Sequence, residues 1–109
     1  MLYNSDEQKI VALVRDLLDA SQLQVVFPKI EIINNAPDSA LADFVIVNLE
    51  EFSDLIGEVR RLVPHAFILG YGPHGETEEA KKAAQAGADR VLPRSRFFRD
   101  PLSALARTT

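Results

Sequence analysis

The sequence predicts an α/β protein built on a doubly wound parallel sheet, and two observations carry that prediction. Residues 44–47 form a run of four apolar side chains, three of them β-branched, between Asp43 and Asn48. A run so short and so uniformly apolar is typical of a strand buried on both faces. Further short apolar runs alternate with stretches of helical periodicity, as in a parallel sheet covered by helices. Ligands of such sheets gather at the carboxyl ends of the strands, which places Asn48 at the functional edge.

Length and composition predict one globular domain over residues 1–109, with 47% hydrophobic and 26% charged residues. The chain has no cysteine, which excludes disulfides and thiolate metal sites. No signal-peptide pattern and no apolar run of membrane-spanning length is present, so we expect a cytoplasmic protein without a membrane partner. The net charge of −4 argues against nucleic acid as the main partner, because the phosphate backbone favours a basic surface.

Charge is distributed unevenly along the chain. Residues 1–87 carry 7 Lys and Arg against 14 Asp and Glu, whereas residues 88–109 carry five Arg against two Asp. The C-terminal fifth is therefore a basic region on an acidic body, and a solvated face is the plain interpretation of any single arginine in it.

Helical spacing dominates the start of the chain. Residues 2–3 suffice only for the stub of a first strand, and Ser5 and Gln8 stand at the spacing of a capping box. The apolar residues that follow recur as on one face of a helix: Ile10, Val11, Leu13, Val14, Leu17 and Leu18. Residues 23–27 are predicted as the second strand. Residues 29–42 leave both a strand and a short helical turn open, because two Asn and a Pro interrupt an alternating pattern.

The rest of the chain alternates regularly between strands and helices. In chain order we predict the central strand at 43–48, a helix at 52–63 stopped by Pro64, a strand at 66–69, a glycine-rich loop at 70–75, a helix at 77–86 closed by Gly87, a strand at 89–92, and a last helix with Asp100 as N-cap and Pro101 at its first position.

Four pieces of the sequence share their order and spacing with one known family. They are Ser5-Asp6-Glu7, residues 14–18, residues 43–49 and residues 86–97. Together they resemble the receiver domain of two-component response regulators, the CheY-like fold. The resemblance covers nearly the whole chain and implies a flavodoxin-like, doubly wound five-stranded sheet of order 2-1-3-4-5, with helices on both faces.

The resemblance also implies that the phosphorylation chemistry of the family has been lost. The phosphoacceptor aspartate that ends the third strand is matched by Asn48, whose amide has no carboxylate oxygen to attack phosphorus. The paired acids that hold Mg²⁺ are matched by Ser5 and Asp6, so one carboxylate is missing there. A hard divalent cation needs several anionic oxygens, and two are gone.

Two further positions of the family pattern depart from it. The switch hydroxyl of the fourth strand falls in the segment that contains Gly70 and Gly72, and the lysine after the fifth strand is matched by Arg94. Without a metal in the pocket, Arg94 is predicted to pair directly with Asp6 and to hold the site in one state, because its planar fork matches a carboxylate.

A competing interpretation rests on glycine spacing. Gly70, Gly72 and Gly75 follow a strand and precede a helix, as in a dinucleotide-binding fingerprint, with Arg94 placed to meet a 2′-phosphate. Against it, Pro73 removes a backbone N–H that such a loop needs. This alternative would make the protein a small nucleotide or anion sensor, or an enzyme.

A weak cation site is a second alternative. Glu50 lies two residues past Asn48 and is placed to join Asp6 and Glu7, although acids at the start of a helix are also expected from the helix dipole. We expect no cofactor and no bound metal.

The sequence-based hypothesis is a degenerate receiver that binds a protein partner independently of phosphorylation and is not an enzyme. A weak homodimer through the fourth helix, the fifth strand and the last helix is also expected, because acids and arginines alternate there and suit a two-fold axis. The residues of this predicted interaction face are Glu78, Glu79, Arg90, Arg96, Phe97 and Arg99.

Overall fold

The computed structural model describes residues 8–72 and 77–106, and within them five strands form one parallel sheet. The strands are β1 (Ile10–Leu13), β2 (Glu31–Ile33), β3 (Phe44–Asn48), β4 (Phe67–Gly72) and β5 (Arg90–Pro93). Their order across the sheet is β2-β1-β3-β4-β5. The predicted fold class and strand order are confirmed.

Helices connect the strands and cover both faces of the sheet. They are α1 (Leu17–Val26), α2 (Leu49–Phe52), α3 (Ile56–Leu62), α4 (Glu78–Ala86), α5 (Arg94–Arg99) and α6 (Pro101–Ala104), with 3₁₀ turns at Pro37–Ser39 and Ser53–Leu55. None of the helices in the described ranges is long and apolar enough to cross a membrane.

Two hydrophobic clusters lie on opposite faces of the sheet, and β3 contributes to both. Phe44 and Ile46 pack with the side chains of α1, α5 and α6. Val45 and Val47 pack with those of α2, α3 and α4. All five residues of β3 are buried, as the uniformly apolar run predicted.

The main error of the sequence-based prediction is the position of the first strand. Residues 10–13 form β1 and not a helix, and all four are buried. The helix begins only after Asp16, whose carboxylate accepts hydrogen bonds from the backbone N–H groups of Leu18 and Asp19 as an N-cap. Leu17 and Leu18, predicted to face the core, are 83% and 65% exposed. Helical periodicity alone does not distinguish a short apolar run from a buried strand.

The second predicted strand is also wrong, since residues 23–26 complete α1. Leu23 and Phe27 are both fully buried, at the i, i+4 spacing of a helix face, whereas Val25 is 81% exposed. The second strand is instead β2, in the segment that the sequence left open.

Two later connections differ from the prediction as well. The helix predicted at 52–63 begins directly after β3 and is interrupted by the 3₁₀ turn at Ser53–Leu55, and it ends before Pro64. Residues 94–99 form the unpredicted α5. The last helix has the predicted Asp100 cap, with Pro101 at its first position.

Arg60 of α3 forms hydrogen bonds both to the end of α4 and to residues beside the strands of the sheet. Its guanidinium donates to the carbonyl oxygens of Gly87, Pro64 and Ala66 and to the carboxylate of Asp89 at 2.6 Å. Gly87 closes α4, as predicted, with φ of +131°, and a Cβ there would lie 2.9 Å from the Arg60 side chain.

Candidate functional site

Asn48 ends β3 at the carboxyl edge of the sheet. Its side chain is almost fully buried, at 4% exposure. Its Oδ1 accepts a hydrogen bond from the backbone N–H of Glu50 at 3.0 Å and so caps α2. The only oxygen of this side chain is therefore already used by the backbone.

The residues that follow β1 at the same edge are Val14, Arg15 and Asp16. The predicted match of Ser5 and Asp6 to the acids after the first strand is wrong, because β1 starts later than the sequence suggested, and both residues lie outside the described ranges. Asp16 is occupied as the N-cap of α1.

Arg15 places a cation beside the end of β1. Its guanidinium lies 4.6 Å from the centroid of the Phe52 ring, and its backbone N–H donates to Oε1 of Glu51 at 2.8 Å. Arg15 is exposed, and its positive charge disfavours a second cation directly beside it.

Asp19 of α1 is the centre of a three-residue cluster that links α1, β4 and α5. Its carboxylate is fully buried and accepts hydrogen bonds from the Tyr71 hydroxyl at 2.8 Å and from Arg94 Nη1 at 2.6 Å. Arg94 Nη2 donates to the other carboxylate oxygen, which makes the pair bidentate. We call Asp19, Tyr71 and Arg94 the Asp19 cluster.

The prediction that Arg94 pairs with a carboxylate named the wrong partner. With β1 at residues 10–13, the acid that approaches β5 comes from the first turns of α1, and it is Asp19 and not Asp6. Asp6 lies outside the described residues.

Aromatic rings surround the Asp19 cluster. Tyr71 is 1% exposed and stacks on Phe97 with ring centroids 5.1 Å apart, and Phe98 meets it edge-on at 5.1 Å. The Arg94 guanidinium lies 5.2 Å from the Phe98 centroid. Burial, and then the negative charges of Glu51, Asp16 and Glu50, raises the pKa of the Tyr71 hydroxyl above its ordinary value. The hydroxyl thus stays a proton donor to Asp19.

Comparisons with known proteins agree with this architecture. No family model and no curated protein sequence matches the chain. A response regulator of Burkholderia pseudomallei, solved with a phosphorylated aspartic acid, calcium ion and citrate, aligns over 92% of this chain and 67% of its own at TM-score 0.79 and 19% identity. A response regulator receiver domain of Clostridium thermocellum aligns over 90% of both chains at TM-score 0.74 and 16% identity.

A third match is an orphan response regulator of H. pylori, which aligns over 92% of this chain and 98% of its own at TM-score 0.68 and 12% identity. The chain has the CheY-like receiver fold.

Within this receiver fold, the possible cation site finds no support among the described residues. They contain no group of three or more acidic, histidine or cysteine side chains placed to hold a metal ion. Glu50 is exposed in the first turn of α2, and its predicted companions Asp6 and Glu7 lie outside the described ranges.

Gly70 and Gly72 lie within β4 of the receiver fold and not in the loop predicted after it. A Cβ at Gly70 would lie 2.8 Å from Cδ2 of Leu49, so the glycine there makes room for the first residue of α2. Packing against Leu49 accounts for Gly70, and Gly75 of the proposed nucleotide motif lies outside the described residues.

The predicted interaction face is only partly available. Glu78, Glu79, Arg96 and Arg99 are exposed. Phe97, however, is fully buried against Tyr71 and cannot contribute apolar contact to a partner. The sequence-based prediction placed Phe97 on the face because it did not include α5, the helix that turns this side chain inward.

Arg90 is also partly engaged. It is half-buried, and its Nη1 donates to the carbonyl oxygen of Ala104 at 2.7 Å. Two other apolar side chains of α5 and α6 keep some exposure, since Leu102 is 52% exposed and Phe98 is half-buried.

Proposed function

We propose that this chain is a degenerate response-regulator receiver, a single domain over residues 1–109 that cannot be phosphorylated and acts by binding a signalling protein. One observation carries the proposal: the residue that ends β3 is Asn48, buried and capping α2 through its only side-chain oxygen. An amide is not a nucleophile toward phosphorus, so no acyl phosphate can form on it.

The described residues around Asn48 do not form a site for the divalent cation that phosphoryl transfer to a receiver requires. Mg²⁺ prefers several carboxylate, carbonyl or water oxygens in octahedral geometry. The edge after β1 offers Arg15 and an aspartate, Asp16, that already caps α1.

The Asp19 cluster supports a role independent of phosphorylation. It connects α1, β4 and α5 by bonds supplied by the protein alone, and its carboxylate is buried. Moving α5 away from β4 would leave that carboxylate without its cation, which is costly. In this proposal the domain presents one surface to its partner, works in the cytoplasm and has no enzymatic activity.

The experiment that tests the proposal is incubation with acetyl phosphate and Mg²⁺ followed by intact-mass spectrometry. We expect no phosphoryl adduct on the wild-type chain. We expect little or no adduct on Asn48→Asp, because the missing aspartate is not the only departure from the receiver pattern. In this variant Arg15 still follows β1. Aspartate is as good an N-cap as asparagine, so this variant should keep α2 and fold normally.

Two results would contradict this reasoning at different levels. A phosphoryl adduct on the wild-type chain, mapped by fragmentation to any aspartate of the carboxyl edge, would overturn the proposed inertness. Efficient labelling of Asn48→Asp alone would leave the wild type inert but show that Arg15 does not prevent metal binding.

A further inference from the structure

Three arginines from β5 and α5 line one cavity on the surface. The cavity measures about 490 Å³. Its lining residues are Arg90, Leu92, Arg96, Arg99, Asp100, Ser103 and Ala104. Its lining comes from β5, α5, α6 and the residue between the two helices, and it includes no residue of the Asp19 cluster.

The break between α5 and α6 shapes this cavity. Helix α5 ends at Arg99, and Asp100 then adopts an extended backbone, with φ of −154° and ψ of 78°, before Pro101 starts α6. Ser103 and Ala104 of α6 thereby line the same cavity as Arg96 and Arg99.

Arg90 is fixed in place at the cavity. Its Nη1 donates to the carbonyl oxygen of Ala104 at 2.7 Å, and its guanidinium carbon lies 5.2 Å from the centroid of the Phe67 ring. A guanidinium held on both sides loses little conformational freedom when its remaining N–H groups bind a ligand.

The positive charge in the cavity is only partly neutralised by the described part of the protein. Arg96 and Arg99 are exposed and form no ion pair with another described residue. Asp100 is the one acid of the lining, and it accepts hydrogen bonds from the hydroxyl and backbone N–H of Ser103, which hold its pKa below the ordinary value. The lining therefore carries three cations and one carboxylate, an excess of two positive charges.

We propose that this cavity binds a compact phosphate-bearing anion. Guanidinium groups match phosphate oxygens with paired N–H donors, and a cavity of this size lies within the range of small-molecule sites. A compact anion fits better than an acidic polypeptide, because four of the five arginines of residues 88–109 lie at positions 90–99 and the chain before residue 88 is strongly acidic. This inference does not depend on the proposed function.

The test is a titration of the ¹⁵N-labelled protein with inorganic phosphate, pyrophosphate and glycerol phosphate, followed by NMR at constant ionic strength. We expect saturable shifts confined to the backbone amides of residues 90–104 and to the arginine Nε groups. Arg96→Gln and Arg99→Gln should each weaken binding at least tenfold. Arg61→Gln removes an exposed arginine of α3 that lies outside the cavity and should leave the affinity unchanged.

Pyrophosphate binding tighter than inorganic phosphate would indicate a diphosphate ligand, and the reverse order with glycerol phosphate bound would indicate a monoester; both support the proposal. Shifts that are not saturable, that chloride reproduces, or that Arg96→Gln leaves unchanged would overturn it. So would a failure of all three anions to bind at constant ionic strength.

Discussion

Arg94→Ala is expected to destabilise the protein by about 3 kcal/mol. The variant leaves the carboxylate of Asp19 at 0% exposure without its cation. Removing one partner of a buried ion pair costs roughly 3–5 kcal/mol. The Arg94 side chain is 35% exposed, so water can enter part of the vacated space, and Tyr71 still donates to the carboxylate. Both effects favour the lower end of that range.

A loss of this size is readily measured by thermal unfolding. For a domain of about 100 residues each kcal/mol lowers Tm by about 4–8 °C, so Arg94→Ala should unfold roughly 12–24 °C below the wild type. Arg96→Ala, on the same helix, is the matched control and should change stability by less than about 0.5 kcal/mol. Arg94→Lys should fall between them, because lysine keeps the charge but not the paired donors.

A double-mutant cycle separates the pair from general packing. Asp19→Asn combined with Arg94→Ala should lose less stability than the two single variants together, because the buried charge that makes Arg94→Ala costly is then absent. Additive losses, or an Arg94→Ala variant as stable as Arg96→Ala, would refute the assigned role of the Asp19 cluster.

Three more outcomes are expected. Above pH 10 Tyr71 loses its proton in the unfolded chain but keeps it in the folded protein, because burial raises its pKa. The free energy of unfolding of the wild type should therefore fall by about 1.4 kcal/mol per pH unit relative to Tyr71→Phe. Urea unfolding at several pH values measures this difference. Gly87→Ala should cost about 1–3 kcal/mol in thermal unfolding, whereas Gly57→Ala, with nothing within 4 Å, should be neutral or stabilising. At low salt, sedimentation should show a weak dimer that added salt or reversal of Arg96 and Arg99 to Glu dissociates, and a monomer at high concentration would contradict it.

The sequence was sufficient for β3, for α4 and for the start of the last helix. Residues 44–47 have the composition of a strand buried on both faces, and the caps Thr77 and Gly87 define α4 without reference to the rest of the chain. The prediction for the first third of the chain was wrong because the apolar residues of 10–18 have helical spacing, although residues 10–13 form a strand. The residue that separates the strand from the helix is Asp16, the N-cap at which α1 begins.

Because the start of α1 was misplaced, the sequence-based prediction missed most of the candidate site. Asn48 could be placed from the strand it ends, and Arg94 could be assigned a carboxylate partner from its chemistry. Asp19 could not be found while the start of α1 was misplaced. Once α1 begins after Asp16, Asp19 falls four residues before the buried Leu23, on the face that turns inward. Tyr71 gave no signal, because its role depends on a residue 52 positions earlier.

The Asp19 cluster has a consequence for the order in which the chain is made. Asp19 and Arg94 are 75 positions apart, so a growing chain that has delivered β1 to β4 already carries the acid but not its cation. Synthesis at about 5–20 residues per second separates the two by several seconds. During that interval the first turns of α1 should remain open to water, and they should close against the sheet only when α5 has emerged.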